Sequence, residues 1–284
     1  MLGNDPMTES DYIQTITQWR EEMQTNLLRE NGWLDLVGLH WLEKPLQSFG
    51  CHASNDIALP EGSGPENIGT IIQEGELFFA DLLPDAGAKV DGEPATGKIH
   101  LEADVTGEPS TLEAGNLTLM LIQRGDRHAI RVWDSSSPAR KSFTGREWYP
   151  IQEDYRVTAS LTRYPEPKTF YIPDITGTPS ETEFTGQAAF NLHGEEVVAD
   201  MIELSSGALY LIFRDASSGK TTYPAARYLV TEMPEENSVV IDFNKAYNPP
   251  CAFTDYATCP LPAPQNILSV SIEAGEKYSA HSHD

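Results

Sequence analysis

The first apolar positions of the chain recur with a helical period. Tyr12, Ile13, Ile16, Trp19, Met23 and Leu27 follow one another at spacings of one, three and four, which lines one face of an amphipathic helix. Thr8 and Asp11 form an approximate capping box, with Asp in place of Glu or Gln. Asn31-Gly32 supplies a left-handed stop. The pattern predicts a helix within residues 1–32 whose aromatic stripe packs on a core.

After Gly32 the period changes. WLDLVGLHWL is apolar and aromatic, and short β-like runs follow at 69–73, 76–80, 98–101, 117–124 and 128–134. Gly, Pro, Asp or Asn turn signals separate them, as in a sandwich or barrel. Gly125-Asp126 joins the last two as a hairpin, and the order Gly-Asp suits a type II′ turn better than I′. Residues 135–150 (SSSPARKSFTGREWYP) read as a connection. Strand-like runs resume at 155–161, 168–172, 187–192, 196–204, 208–213, 227–231, 239–243 and 267–272. The expected fold is mainly β. An amino-terminal amphipathic helix (1–32) precedes two β-sandwich or barrel-like subdomains at 33–150 and 151–278, and a flexible polar tail closes the chain at 279–284. The helix is expected to pack across the subdomain junction or on the second subdomain.

Charge narrows the partners. Asp and Glu total 43 against 19 Lys and Arg, a net charge of −24. Such a surface repels nucleic acid and anionic lipid, because phosphate binding needs the opposite sign. The acidic residues are spread out rather than blocked together, which reads as a solvated surface. It would suit a salt-loaded, halophilic cytoplasm, where repulsion is screened within ~3 Å at about 1 M salt. Recognition of a cationic partner is the competing reading. No apolar run approaches the ~20 residues that span a bilayer. MLGNDPMTES has neither the basic nor the apolar region of a secretory signal. Three cysteines (Cys51, Cys251, Cys259) are too few for a disulfide scaffold. These features point to a cytoplasmic protein that contacts neither nucleic acid nor membrane.

Several specific motifs are absent: the P-loop, G-x-G-x-x-G, H-E-x-x-H, G-x-S-x-G and C-x-x-C. No cofactor and no metal site is called for. Candidate chemistry gathers in the last third. Arg214-Asp215 follows the apolar run ALYLIF, and GKTTY, ending in Tyr223, turns the chain before Arg227. The planar forks of Arg214 and Arg227 suit a carboxylate or phosphate. Alternatively they pair with Asp215, Asp242 or Glu276 as partly buried bridges. Asp242 and Asn244 end the run VVIDF, and Tyr247, Asn248, Pro249, Pro250 and Cys251 follow. Two successive prolines make a rigid loop, and Asn248-Pro249 is a candidate for a cis bond. Such a loop can preorganise a site or serve as a tight corner. Cys251 and Cys259 are read as buried or disulfide-linked thiols, with a reactive thiol or half a metal site as alternatives. His193 is a candidate general acid or base, with His40 and His128 behind it.

The chain resembles the bacterial and archaeal family called domain of unknown function 1684. The similarity rests on GWLDLVGLHWL (32–42), FGCHASNDIALP (49–60), RGDRHAIRVWD (124–134), FTGREWYP (143–150), LIFRDASSGKTTYPAARYL (211–229), DFNKAYNPPCAFTDYATCPLP (242–262) and EAGEKY (273–278). That family implies no activity or substrate. FGCHASNDIALP is also similar to the opening strands of a forkhead-associated β-sandwich, but the S-R-x-H that would follow is absent. The functional expectation is a small-molecule-binding enzyme, hydrolytic in the leading version, acting on an anionic ligand. Asp242 and His193 would be catalytic; Arg214, Arg227, Tyr223, Asn244, Tyr247 and Asn248 would bind. The alternatives are a non-catalytic ligand-binding or scaffold protein, and a metalloprotein using Asp215, Asp242, Glu276 or a cysteine.

Overall fold

The computed structural model describes residues 8–278, so the tail at 279–284 and the first seven residues lie outside the described residues. The chain is mainly β, with one long helix, Glu9–Leu27. Its start follows the expected capping box. The Asp11 backbone N–H donates to Thr8 Oγ1 at 3.2 Å, and the Thr8 N–H donates to Asp11 Oδ2 at 3.2 Å. The helix stops earlier than Asn31-Gly32 predicts. Asn31 does adopt a left-handed φ of 52°, but it lies in a turn beyond the helix. Arg140 holds that turn, donating to Leu28 O (2.6 Å) and Arg29 O (2.5 Å) and forking onto the Asp35 carboxylate. An arginine thus satisfies carbonyls that a glycine cap would otherwise serve. No described helix is long and apolar enough to cross a membrane.

By its contacts the chain forms two compact units. One comprises Leu27–Phe143 with Phe253–Ala257. It contains a six-stranded sheet in the spatial order Leu36–Trp41, Arg127–Asp134, Leu117–Arg124, Thr111–Ala114, Lys89–Val90 and Glu93–Pro94. A five-stranded sheet runs in the order Ile57–Ala58, Leu46–Gly50, Gly69–Glu74, Leu77–Leu82 and Gly97–Leu101. Inward residues of both sheets, among them Phe49, Ile71, Phe78, Leu119 and Val132, share one core, as in a sandwich. In the hairpin of Leu117–Arg124 and Arg127–Asp134, Gly125 has φ 60° while Asp126 stays out of the positive-φ region. That is the type II′ pattern read from the sequence.

The other unit takes in, among the described residues, 8–26, Thr144–Ala252 and 258–278. Its six-stranded antiparallel sheet has the order Arg227–Val230, Leu209–Phe213, Glu195–Glu203, Pro179–Leu192, Arg156–Pro173 and Ser238–Asp242. Phe190, Phe213 and Phe243 pack edge to face or tilted, with centroids 5.6–5.7 Å apart at the two Phe243 contacts. Truncating such a buried ring costs ~3–5 kcal/mol. The helix supplies buried Tyr12 and Ile16 to this unit, and Trp19 packs on Trp148 at 5.6 Å and Tyr247 at 6.4 Å.

From Phe243 onward the chain becomes an irregular strap with short 3-10 turns at Phe243–Lys245, Pro250–Ala252 and Pro264–Asn266. The strand expected at 267–272 does not form. Its alternation is present, with Leu268, Val270 and Ile272 buried and Ile267, Ser269 and Ser271 exposed. Its polar backbone, however, pairs piecemeal: Leu268 N with Arg214 O (2.8 Å), Val270 O with Ala216 N (2.9 Å) and Ile272 N with the Asp215 carboxylate (2.7 Å). A side chain takes one ladder position, so no continuous ladder propagates. No described peptide bond is cis, so Asn248-Pro249 is trans.

Candidate functional site

Arg227 opens the strand Arg227–Val230 and is fully buried, with 0% exposure. Its Nη1 donates to Ala274 O at 2.5 Å, its Nη2 to Ile272 O at 2.9 Å, and Asp215 Oδ1 lies 3.2 Å away. Asp215 Oδ2 also accepts from the Ser217 hydroxyl (2.8 Å) and the Ile272 N–H (2.7 Å). Burial pushes the guanidinium pKa down, and Asp215 opposes it. Of the three acids named from the sequence, Asp215 is the one that pairs with Arg227. Arg214, one residue before Asp215, is exposed and is not brought into this cluster.

Asp242 and Asn244 form a second cluster, anchored by a residue the sequence did not single out for chemistry. The Tyr12 hydroxyl lies 3.0 Å from each Asp242 carboxylate oxygen. The Asn244 N–H donates to Asp242 Oδ1 at 3.0 Å. Its amide reaches Tyr12 Oη (2.9 Å) and Gln152 O (2.7 Å), and its Oδ1 accepts from the Gln152 N–H at 3.0 Å. Burial, then the Asp242 charge, drives the Tyr12 pKa upward. Apolar spacing marked Tyr12 as a core residue, but nothing in that spacing reports where its hydroxyl points.

The third cluster surrounds Glu276. Its Oε2 accepts from Arg146 Nη1 at 2.6 Å and from the Asn248 N–H at 2.7 Å. Both side chains are buried, Arg146 at 6% and Glu276 at 2% exposure. The Asn248 amide donates to Lys277 O at 2.8 Å. Burial raises the Glu276 carboxyl to about 7, against the pull of Arg146 and Asn248. Nearby Gly275 must be glycine. Its φ is 77°, and a Cβ there would stand 2.4 Å from Ala246 O.

Tyr223 and Tyr247 belong to an aromatic layer around the cysteines. The Tyr223 hydroxyl donates to Cys251 O at 2.7 Å, Tyr228 to Pro260 O at 2.9 Å, and the Tyr228 and Tyr247 rings lie 6.0 Å apart. His193 is exposed at a two-residue turn, with φ 52°. Its partners are Asp154 (3.2 Å) and the Tyr155 ring (4.8 Å) rather than Asp242. A further buried residue, Asn266, went unnoticed in the sequence. It accepts from Asp200 N (2.8 Å) and donates to Asp200 O (3.0 Å) and Ile212 O (3.1 Å).

In the unit of Leu27–Phe143, a hollow of about 200 Å³ is lined by Trp41, Glu43, Gln73, Phe78, Arg127 and His128, among others. The Arg127 guanidinium stacks 3.7 Å above Trp41, and the His128 ring lies 4.5 Å from Phe78. Burial lowers the His128 pKa, which favours a neutral imidazole. Among the described residues no group of three or more His, Cys, Asp or Glu is placed to hold a metal ion. Asp215, Asp242 and Glu276 each sit in a separate cluster.

The architecture is therefore a mainly β protein whose carboxyl-terminal polar side chains bind one another and the backbone. Residues 141–277 match the model of the family described as Protein of unknown function (DUF1684), in keeping with the resemblance read from the sequence. A solved structure, the solution NMR structure of an uncharacterized protein of Haloarcula marismortui, is similar at 28% identity. The match covers 51% of this chain and 81% of that chain, with a TM-score of 0.42. No curated protein matches the chain.

Proposed function

We propose that this chain is a non-catalytic ligand-binding or scaffold protein in which the carboxyl-terminal polar motifs are structural. The observation that carries the reading is the complete burial of Arg227, with donors committed to Ala274 O and Ile272 O and Asp215 beside it. An anion-binding arginine needs donors turned toward solvent or a cleft, and this one has them turned into the strap. A hydrolytic enzyme with Asp242 as base fits less well. Both Asp242 oxygens already face the Tyr12 hydroxyl, and the residue is 3% exposed. For a small ligand, the hollow at Trp41, Phe78 and Arg127 offers two aromatic faces and one cation. At about 200 Å³ it is smaller than the ~300–1,000 Å³ usual for drug-sized ligands. The reading places the protein in the cytoplasm, in line with three unbridged cysteines, and away from nucleic acid, in line with the net charge of −24.

Urea unfolding of Arg227→Met and Asp242→Ala tests the structural role. Arg227→Met strands a buried carboxylate, which costs ~3–5 kcal/mol. Asp242→Ala leaves the Tyr12 hydroxyl and Asn244 N–H without their acceptor, each worth ~1–3 kcal/mol. Variants within about 0.5 kcal/mol of the wild type would defeat the scaffold reading and return these side chains to a site.

A further inference from the structure

The DFN-to-PLP segment places two thiols side by side. The Cys251 N–H donates to Cys259 Sγ at 3.2 Å, which brings the second sulfur against the backbone that carries the first. Neither is bridged, and Cys51 belongs to the other compact unit. The two differ in access: Cys251 is half-buried, whereas Cys259 is 5% exposed. Both are held on rigid backbone. Cys251 lies in the turn Pro250–Ala252 with its carbonyl fixed by Tyr223, and the Cys259 carbonyl accepts from the Ile175 N–H at 2.8 Å. The Tyr228 hydroxyl donates to Pro260 O, next to Cys259, at 2.9 Å. From this geometry we infer that Cys251 and Cys259 form a peroxide-reactive dithiol, with Cys251 the attacking and Cys259 the resolving sulfur.

The electrostatics agree with that division of labour. Its pairing with Cys259 pulls the Cys251 pKa down against burial, while the same pairing and burial drive the Cys259 pKa up. The thiolate is the reactive form, and a lowered pKa raises its share at neutral pH. In the first step the Cys251 thiolate attacks one oxygen of a hydroperoxide, and the O–O bond breaks. Sulfur is oxidised to the sulfenic acid, and the peroxide is reduced to an alcohol (water, for hydrogen peroxide) that takes the proton Cys251 gave up. Cys259 sulfur then displaces the sulfenic hydroxyl, which leaves as water with the Cys259 proton. Two thiols and one hydroperoxide become one disulfide, one alcohol and one water. A small oxidant suits a half-buried thiol. A cross-link needs the sulfurs to close to ~2 Å, and Cys259 Sγ already lies 3.2 Å from the Cys251 backbone nitrogen.

The test uses the folded full chain. No Lys or Arg lies between Lys245 and Lys277, so both cysteines fall in one tryptic peptide, 246–277, separate from Cys51. After hydrogen peroxide and iodoacetamide, that peptide is expected to have lost two hydrogens and to resist alkylation. Cys51 should still alkylate, and dithiothreitol should restore the pair. Oxidation of the pair should outrun that of Cys51 by roughly ten-fold or more, as a thiolate outruns a buried thiol. Cys259→Ser should stop the reaction at a Cys251 sulfenic acid that dimedone traps. Alkylation of both cysteines after peroxide, or oxidation seen only once urea has unfolded the chain, overturns the inference. So does a Cys51 that reacts as fast. The wild-type result alone decides if the variant does not fold.

Discussion

Glu276 is expected to contribute a stability that is lost as pH rises through neutrality, and one substitution tests it. The carboxyl is 2% exposed, and burial raises it from 4.5 to about 7, although Arg146 and the Asn248 N–H pull the other way. A folded-state pKa above the unfolded one means that the folded state holds the proton longer. The stabilisation is fully present below pH 4.5 and is lost as pH climbs through about 7. At 1.36 kcal/mol per pKa unit, that shift is worth about 3 kcal/mol. Glu276→Gln keeps the shape and one acceptor oxygen but cannot ionise. Urea unfolding of both proteins from pH 5 to pH 8 therefore isolates Glu276 from the other 42 acidic side chains, of 43 in all. The stability of the wild type minus that of the variant is expected to decline with rising pH, by up to about 3 kcal/mol. A flat difference, or one that grows with pH, would mean that Arg146 outweighs burial and that Glu276 is anionic throughout.

Two further outcomes follow from the same physics. His193→Asn keeps a residue that tolerates the left-handed turn and removes the imidazole, so stability should stay within about 0.5 kcal/mol of the wild type. A loss above roughly 1.5 kcal/mol would show that the Asp154 and Tyr155 contacts hold the turn. With a net charge of −24, the melting temperature is expected to rise from low salt to about 1 M KCl, as mutual repulsion is screened. A melting temperature independent of KCl removes the case for salt adaptation.

In Leu27–Phe143 the local pattern located the runs at 69–73, 76–80, 98–101, 117–124 and 128–134, which pair with one another. It did not locate the short strands between them, or Leu36–Trp41, whose partner Arg127–Asp134 is distant in sequence. Gly69–Glu74 pairs with Leu77–Leu82, and Leu117–Arg124 with Arg127–Asp134. The carboxyl-terminal clusters were legible as residue types but not as partnerships. Three acids, Asp215, Asp242 and Glu276, were open to two arginines. In the fold Asp215 takes Arg227, Asp242 takes Tyr12 and Glu276 takes Arg146. Tyr12 and Asp242 are 230 positions apart, and no local rule relates them. The expected strand at 267–272 failed for a related reason. Alternation reports which side chains are buried, whereas a strand also needs a continuous backbone partner, and here a carboxylate supplied part of it.

That substitution explains why an acidic, mostly β chain buries so many polar groups at one end. At 243–252 and 258–278 the strap meets the sheet through isolated bridges such as Tyr228–Tyr247 and Arg214–Ile267, so its other peptide groups leave the water without a continuous ladder to receive them. Buried N–H and C=O groups must find partners. Asp215 serves Ile272 N, Arg227 serves Ile272 O and Ala274 O, and Glu276 serves Asn248 N. Asn266 performs the same office for Ile212 O and for both polar groups of the Asp200 backbone. A buried ion pair adds little net stability, because desolvation offsets its attraction. Its contribution here is selection of a route. Any other path for the strap would leave Arg227 and Asp215 buried without these backbone partners, and so would forfeit several kcal/mol. Polar residues that look catalytic in sequence can therefore be the components that replace a missing strand.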